Sequence, residues 1–481
     1  MHFRTMQTCG ATLQKVERPP LLLHLAGRGD RICRAGILGL ALTLLVSSLA
    51  AGGEEQKRLP DPQRGREALL TRAYLPVAWS EQTYHSVWKV WGLSEKPADF
   101  EERFRDRYGL HPAPYPNDGL PMGLRYTRGL LGRGITVDCL LCHAGSLFGQ
   151  SIIGLGNASL DMQALFEEMF AAQGVKQAAP FPFTQVRGTT EGAMMSVYLL
   201  RLRDEELRLV APHKFPITPN LCEDAPAWWL LRKKRTMYHT GSTDARSVRS
   251  IMQFVLNPLN GPDYIKSLEP TFADIHAFIR SLEPPKYPFA IDRNLAEKGR
   301  RLFEKHCASC HGTYGPNGSY PNRVIPLKEI GTDPWRVQGI PREAKEFYAR
   351  SWFGQERDAQ GQPLTLREEI GYQAPPLDGI WATAPYLHNG SVPTVYHVLN
   401  SKSRPKIFVR SYRTGVEDYD PVRLGWKFQE LDRPPGPEVP AIERRKVYDT
   451  SQPGRSNAGH TYGDHLSESD RFALLEYLKT L

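Results

Sequence analysis

Apolar residues recur at helical spacing in three stretches of the chain. After Asn294 the sequence reads LAEKGRRLFEKHCASCH, in which Leu295, Leu302 and Phe303 share one face of a helix. The C-terminal stretch SDRFALLEYLKTL has the same periodicity, as does the stretch ADIHAFIRSL that precedes the break at Pro284. The pattern therefore predicts a helix that opens the second half of the chain and a closing helix at the end of each half.

Between these helices the chain has the composition of loops. Residues 109–122 and 312–326 are dense in Gly, Pro and Asn, which interrupt regular structure. No stretch shows the sustained alternation of apolar and polar residues that a long half-buried strand requires. We therefore expect a mainly α fold with long irregular loops and minor β hairpins.

The longest apolar run, AGILGLALTLLVSSLAA, begins at Ala35 and follows three arginines at positions 28, 31 and 34. Its apolar part, about 15 residues, is shorter than the roughly 20 that a membrane-spanning helix needs. Ser48 and Ala50 provide the small residues of a cleavage site. We expect residues 1–51 to be a signal peptide with an N-terminal extension, and the mature protein to be periplasmic or secreted with no transmembrane domain. A retained membrane anchor is the alternative.

Composition narrows the class of protein. A chain of 481 residues has room for two or three domains, and 41% hydrophobic with 23% charged residues is typical of globular proteins. Loss of residues 1–50 removes six basic and two acidic residues, so the formal net charge falls from +9 to +5. That charge is small for the length of the chain, and we expect no nucleic-acid partner.

Two C-x-x-C-H motifs carry the candidate chemistry. They are Cys139, Cys142 and His143 in the first half, and Cys307, Cys310 and His311 in the second. This spacing is the covalent attachment signature of c-type haem, in which two thiols bind the porphyrin and the histidine ligates iron from the proximal side. A redox C-x-x-C pair or half of a zinc site would leave both adjacent histidines unexplained. The sequence predicts two covalently attached haem c groups, and no sequence feature assigns a calcium site.

The two halves repeat one order of features. YHTGS, which contains His239, follows Trp228 and Trp229, and LHNGS, which contains His388, follows Trp381. These histidines lie 96 and 77 residues after His143 and His311, and a closing helix follows in each half. The repeat predicts two cytochrome c-like haem domains, at residues 60–285 and 290–481.

The second ligand of each iron decides between electron transfer and chemistry. All nine methionines lie at or before Met252, so the second domain has none of its own, and a bis-histidine iron is predicted there. We favour His460 as the ligand, because Gly459 frees its loop to approach the iron, and His388 is the alternative. The first iron has an open position or one of several candidates: His213, His239, His276, Met194, Met195 and Met237.

Other features have a simpler structural interpretation. We expect the basic run at residues 232–235 on a solvated face, Cys222 as a buried small hydrophobe, and His397 and His465 at the surface.

The chain resembles the exported di-haem cytochromes related to bacterial di-haem cytochrome c peroxidases, and within them the rubber oxygenase-like branch. The resemblance rests on both C-x-x-C-H motifs, TAPYLHNGSVPT at residues 383–394, GRSNAGH at residues 454–460, and the terminal YLKTL. It covers most of residues 60–481 and is strongest after Asp292. Where the peroxidases offer a methionine ligand this chain reads VYHVLNSKS, which favours the oxygenase-like branch.

The resemblance implies that one haem relays electrons and that the other, with an accessible iron face, reacts with dioxygen or peroxide. It also implies His143 and His311 as proximal ligands and His460 as the second ligand of the second iron. The partner is then a redox protein or a small-molecule oxidant. The alternative is a non-catalytic periplasmic electron-transfer protein with two six-coordinate haems.

Overall fold

The structure is a computed structural model that describes residues 58–129, 132–175, 185–364 and 367–481. The predicted signal peptide at residues 1–51 lies outside the described residues. Within the described ranges, no helix combines the length and the apolar composition needed to cross a bilayer.

Helix predominates over strand, at 36% against 13%, so the fold is mixed, and its sheets are small. The described α-helices are α1 Pro62–Thr71, α2 Glu81–Ser86, α3 Phe100–Tyr108, α4 Leu140–His143, α5 Met162–Ala172, α6 Gly192–Leu200, α7 Val248–Ile251, α8 Pro262–Ser267, α9 Glu269–Ser281, α10 Arg293–His306, α11 Ala308–His311, α12 Leu327–Ile330, α13 Trp335–Gln338, α14 Arg342–Arg350, α15 Val395–Leu399, α16 Ala441–Arg444 and α17 Glu468–Leu478.

The strands pair into antiparallel sheets of two or three strands. They are β1 Trp79–Ser80, β2 Leu124–Gly129, β3 Gly132–Val137, β4 Ala144–Leu147, β5 Gln150–Ile153, β6 Thr236–Met237, β7 Thr243–Asp244, β8 Val324–Pro326, β9 Gly371–Gln373, β10 Ile407–Arg410, β11 Tyr419–Asp420, β12 Gly425–Trp426, β13 Phe428–Glu430 and β14 Val447–Asp449. The three-stranded sheets have the orders β1-β3-β2 and β13-β10-β14, and the others pair β4 with β5, β6 with β7, β8 with β9 and β11 with β12.

In each half, two helices cross with their backbones in contact. In the second half, the side chain of Asp292 caps the start of α10 by accepting from the Asn294 and Leu295 amides, and α10 crosses α17 at Gly299. A Cβ at Gly299 would lie 1.9 Å from the carbonyl oxygen of Ala473, so the backbones touch. In the first half, α1 crosses α9 in the same manner, with Gly65 equally close to the carbonyl of Asp274. The three helices predicted from periodicity are confirmed, whereas α1 is an addition that the sequence analysis missed.

The cysteines of the two motifs pack against separate apolar cores. Cys142 contacts a core around Trp79 and Phe104, and Cys139 contacts a second core around Phe272. Cys307 contacts a third core that contains Phe303, Trp381 and Leu474, and Cys310 contacts a small cluster around Tyr372. Residues Leu59–Leu481 form one compact unit, and the division into domains at 60–285 and 290–481 stays a prediction.

Candidate functional site

Each C-x-x-C-H motif forms a single helical turn, α4 in the first half and α11 in the second. The four motif cysteines are free thiols. Burial raises the pKa of Cys139, Cys142 and Cys307 to about 12, so these thiols are protonated and poorly suited to disulfide exchange. Among the described residues, no group of three or more His, Cys, Asp or Glu side chains forms a metal site of its own. The geometry therefore disfavours both a redox dithiol and a zinc site.

A proline carbonyl lies close to the histidine of each motif, and His311 hydrogen-bonds to it, whereas Nδ1 of His143 is buried without a hydrogen-bond partner. Nδ1 of His311 donates to the carbonyl oxygen of Pro375 at 2.8 Å, which leaves Nε2 with its lone pair. Burial lowers the pKa of His143 to about 4, against an opposing effect of the Pro226 carbonyl. Both prolines directly follow an alanine, at Asp224-Ala225-Pro226 and Gln373-Ala374-Pro375. The sequence contains this short Ala-Pro repeat, but the sequence analysis missed it.

One cavity of about 1500 Å³ connects the two motifs. Its walls include the cysteines and histidines of both motifs, and also His239, His388 and His460. Sites for a single small molecule have volumes of roughly 300–1,000 Å³, so this space is large enough for more than one such group. Free thiols, neutral imidazoles and an apolar wall together form the donor set that covalently attached haem requires, and the residues fit that cofactor.

The ring of His460 faces the ring of His311. The two ring centres are 6.2 Å apart and the ring planes are inclined by 58°. Two imidazoles that share one metal ion, with metal–nitrogen bonds of about 2.0 Å, have ring centres roughly 6 Å apart. Nδ1 of His460 is buried with no hydrogen-bond partner, and burial lowers the pKa of this histidine to about 4. The separation of the two rings is compatible with two ligands of one metal ion.

His388, the alternative ligand, faces a different partner. Its ring lies 6.4 Å from that of His239 and stacks on Tyr372 at 3.9 Å. Nε2 of His388 is buried without a partner, whereas Nε2 of His239 donates to the carbonyl oxygen of Asp224 at 2.7 Å. The separation matches that of the first pair, but neither ring belongs to a C-x-x-C-H motif.

The ring that stacks on His143 is that of Trp228, with centres 4.9 Å apart and planes 24° apart. The other histidine candidates for the first iron each donate from Nε2 to a backbone carbonyl, His213 to Arg203 and His276 to Ala245. Within the described part of the chain, no second histidine ring stands opposite His143 as His460 stands opposite His311. Of the methionine candidates, Met195 and Met237 line the cavity.

The two histidine loops are exchanged between the halves. Both loops turn through a left-handed residue, Tyr238 with φ 67° and Leu387 with φ 63°. The amide of Asp224 donates to the carbonyl of His388 at 2.7 Å, and the amide of Gln373 donates to the carbonyl of His239 at 2.7 Å. Each loop therefore docks on the other half, at the segment whose proline lies close to the motif histidine.

Two expectations for surface residues need correction. His397 is buried at 5% exposure, because it alternates with Val395 and Leu399 on the inner face of α15, and it hydrogen-bonds Thr394. In the basic run, Lys233 is half-buried and pairs with Asp378, and Lys234 lines the cavity, where burial lowers its pKa to about 8. His465 is exposed and Cys222 is buried, as expected.

Comparison with known proteins identifies one segment. A family described as RoxA-like, cytochrome c-like matches residues 371–409, which contain His388 and α15. This segment is similar to that family. The match supports a c-type cytochrome, for which haem c is the cofactor.

Two relatives come from Sinorhizobium fredii. The uncharacterized protein y4iM is 31% identical over 242 residues, with 42% of this chain and 52% of the relative covered. The uncharacterized protein y4iJ is 29% identical over 264 residues, with 42% and 41% covered. The matches thus span about half or less of the length of these relatives.

Among solved structures, hydrazine synthase of Kuenenia stuttgartiensis overlaps 60% of this chain and 88% of its own at 14% identity. The TM-score is 0.22, below the range in which two chains share a fold.

Proposed function

We propose that this chain is an exported di-haem c-type cytochrome, in which the second haem relays electrons and the first offers an open iron position to dioxygen or peroxide. The observation that carries the proposal is the asymmetry between the motif histidines. His311 faces a second histidine ring at 6.2 Å, and His143 stacks on a tryptophan instead.

The second site has the features of an electron relay. His311 and His460 would hold its iron from both sides, and two fixed ligands leave no position for a substrate. The carbonyl of Pro375 holds the proton on Nδ1 of His311, which fixes the tautomer and the ring orientation. A site held in this way changes little between its oxidised and reduced states.

The first site has the features of a reactive centre. His143 would ligate its iron, Trp228 would keep that ring in place, and α6 contributes Ala193, Met195 and Ser196 to the cavity wall. Haem supplies an iron that binds small oxidants and exchanges electrons when its second axial position is free. The wall of the cavity around that position is largely apolar.

A non-catalytic carrier is the second candidate, and one observation favours it. Met195 and Met237 both line the cavity, and a thioether on the first iron would make both haems six-coordinate. The protein would then pass electrons between periplasmic partners without chemistry of its own.

Binding of carbon monoxide distinguishes these functions. The holoprotein, matured in a host that attaches c-type haem, should show one carbon monoxide adduct per two haems when reduced. The spectrum of the second haem should be unchanged by the gas. Absence of any adduct would exclude the oxygenase and peroxidase functions and leave the carrier. A protein whose mass contains no covalent haem would contradict both.

A further inference from the structure

Arg404 is a buried arginine whose side chain reaches five backbone carbonyls. It lies just after α15 and is 9% exposed. Nε donates to His397 at 2.8 Å and Nη2 to Val398 at 3.2 Å, both at the end of α15. The remaining bonds go to the loop that carries His460. There Nη1 donates to Asn457 at 2.5 Å and Gly459 at 2.7 Å, and Nη2 donates to His460 itself at 3.2 Å.

Within the described ranges, no carboxylate forms a salt bridge with this guanidinium. Asp464, the acid that acts on it through space, hydrogen-bonds the amide and hydroxyl of Ser401 instead. The buried guanidinium therefore directs its N–H donors to backbone carbonyls and not to an ion pair.

The His460 loop has a backbone that needs such support. His460 has φ 46° and Gly459 has φ 75°, both in the left-handed region that a histidine rarely adopts. A Cβ at Gly459 would lie 2.3 Å from the backbone of Gly331, so the loop lies directly on that segment. The amide of His460 donates to Ile330 at 2.8 Å, and Arg404 holds the loop from the other direction.

We propose that Arg404 is a positioning residue, which holds His460 in the orientation that ligates the second iron. The inference rests on the proposed function, since it takes His460 to be an iron ligand. A planar guanidinium with five N–H groups in a fixed fork can hold two segments at once, and the flexible ammonium of lysine, with three rotatable donors, cannot reproduce that fan.

The test compares Arg404→Lys and Arg404→Met with wild-type holoprotein and with His460→Gly. Arg187→Lys is the matched control, because Arg187 is also a buried arginine that donates to backbone carbonyls, those of Ser159 and Asp106. Each purified variant is checked for two covalent haems by mass and for secondary structure by circular dichroism. Electron paramagnetic resonance of the ferric protein then measures the low-spin signal of the second haem, with and without added imidazole.

We expect both Arg404 variants to lose roughly half or more of that low-spin signal, since a loosened histidine no longer stays on the iron. Relative to wild-type protein with the same imidazole, which can also bind the open first iron, imidazole should restore the signal in the Arg404 variants, and Arg187→Lys should retain it without imidazole. The lysine variant keeps the positive charge but not the hydrogen-bonding geometry of the guanidinium. If it resembles the methionine variant, the geometry and not the charge positions His460. The lysine variant is also the milder change and yields a result if the methionine variant does not fold.

Two outcomes would overturn the inference and can be told apart. If both Arg404 variants keep the wild-type signal while His460→Gly loses it, Arg404 does not position the ligand, and the proposed function stands. If His460→Gly itself keeps the signal, His460 is not the ligand, and the assignment of the second iron fails together with this inference.

Discussion

Two pairs of histidine rings in this protein have nearly the same separation. They differ in the neighbouring thiols and in the hydrogen bonds of their ring nitrogens. His311 and His460 are 6.2 Å apart, and His239 and His388 are 6.4 Å apart. His311 adjoins two free thiols and has its Nδ1 proton held by a carbonyl, so its Nε2 lone pair is available. His239 instead uses Nε2 as a donor to Asp224. Ring separation alone does not show which pair could hold an iron. The hydrogen bonding of Nε2 distinguishes them, because this atom is available in His311 and engaged in His239.

Replacement of single histidines tests this assignment. His460→Gly removes the ring opposite His311, and we expect nearly complete loss of the low-spin signal of the second haem, with recovery on addition of imidazole. His388→Gly is the matched control, since it removes a ring of the same size that lines the same cavity, and the signal should persist. If only His388→Gly loses the signal, His388 is the ligand. If both variants keep the signal, both assignments are wrong.

At the scale of elements, a tight helix crossing recurs in both halves. Gly65 of α1 and Gly299 of α10 each lie against a carbonyl of the closing helix of their own half, α9 or α17. In the second half the crossing helix leads directly into the motif, whereas residues 72–138 separate them in the first. The same packing therefore supports both halves, although the chain reaches the first motif by a longer route.

The crossing predicts the effect of one added methyl group. Gly299→Ala places a Cβ where the carbonyl oxygen of Ala473 lies, and overpacking should lower the free energy of unfolding by about 1–3 kcal/mol. Denaturant unfolding of the holoprotein measures the change. Gly261→Ala is the control, because a Cβ there meets no atom within 4 Å, and it should change stability by less than about 1 kcal/mol. Equal effects of the two changes would refute the close approach.

The sequence predicts those elements whose signal is local. Helical periodicity identifies α9, α10 and α17, and the cysteine spacing identifies both motifs, because each pattern lies within about twenty residues. The short α1 has too few apolar positions to stand out. His397 was misplaced because α15 is only one turn long and its inner face depends on tertiary packing. The support of His460 by Arg404 joins residues 56 apart, which no local pattern records.

At the scale of the whole molecule, the exchanged loops tie the two halves together. Asp224 binds the carbonyl of His388 and Gln373 binds that of His239, so each half completes the surroundings of the other's motif. Trp229 adds a further bond across the same boundary, to the carbonyl of Asp378. These bonds lie within the one compact unit formed by residues Leu59–Leu481.

Such interdependence predicts a single unfolding transition. In a denaturant titration of the holoprotein, the absorbance of the low-spin haem, the absorbance of the other haem and the far-ultraviolet circular dichroism should change at one shared midpoint. Two independent domains would instead lose their haem spectra at separate denaturant concentrations. That outcome would show that the exchanged bonds contribute little to stability.

The loop exchange also constrains the order in which the molecule is assembled. The ribosome makes the first C-x-x-C-H motif long before it makes the His388 loop that docks beside it. A nascent chain that has presented only its first motif therefore lacks part of the final wall of that site. The site at the first motif, which is made earlier, is therefore complete only after the second half has been made and its His388 loop has docked.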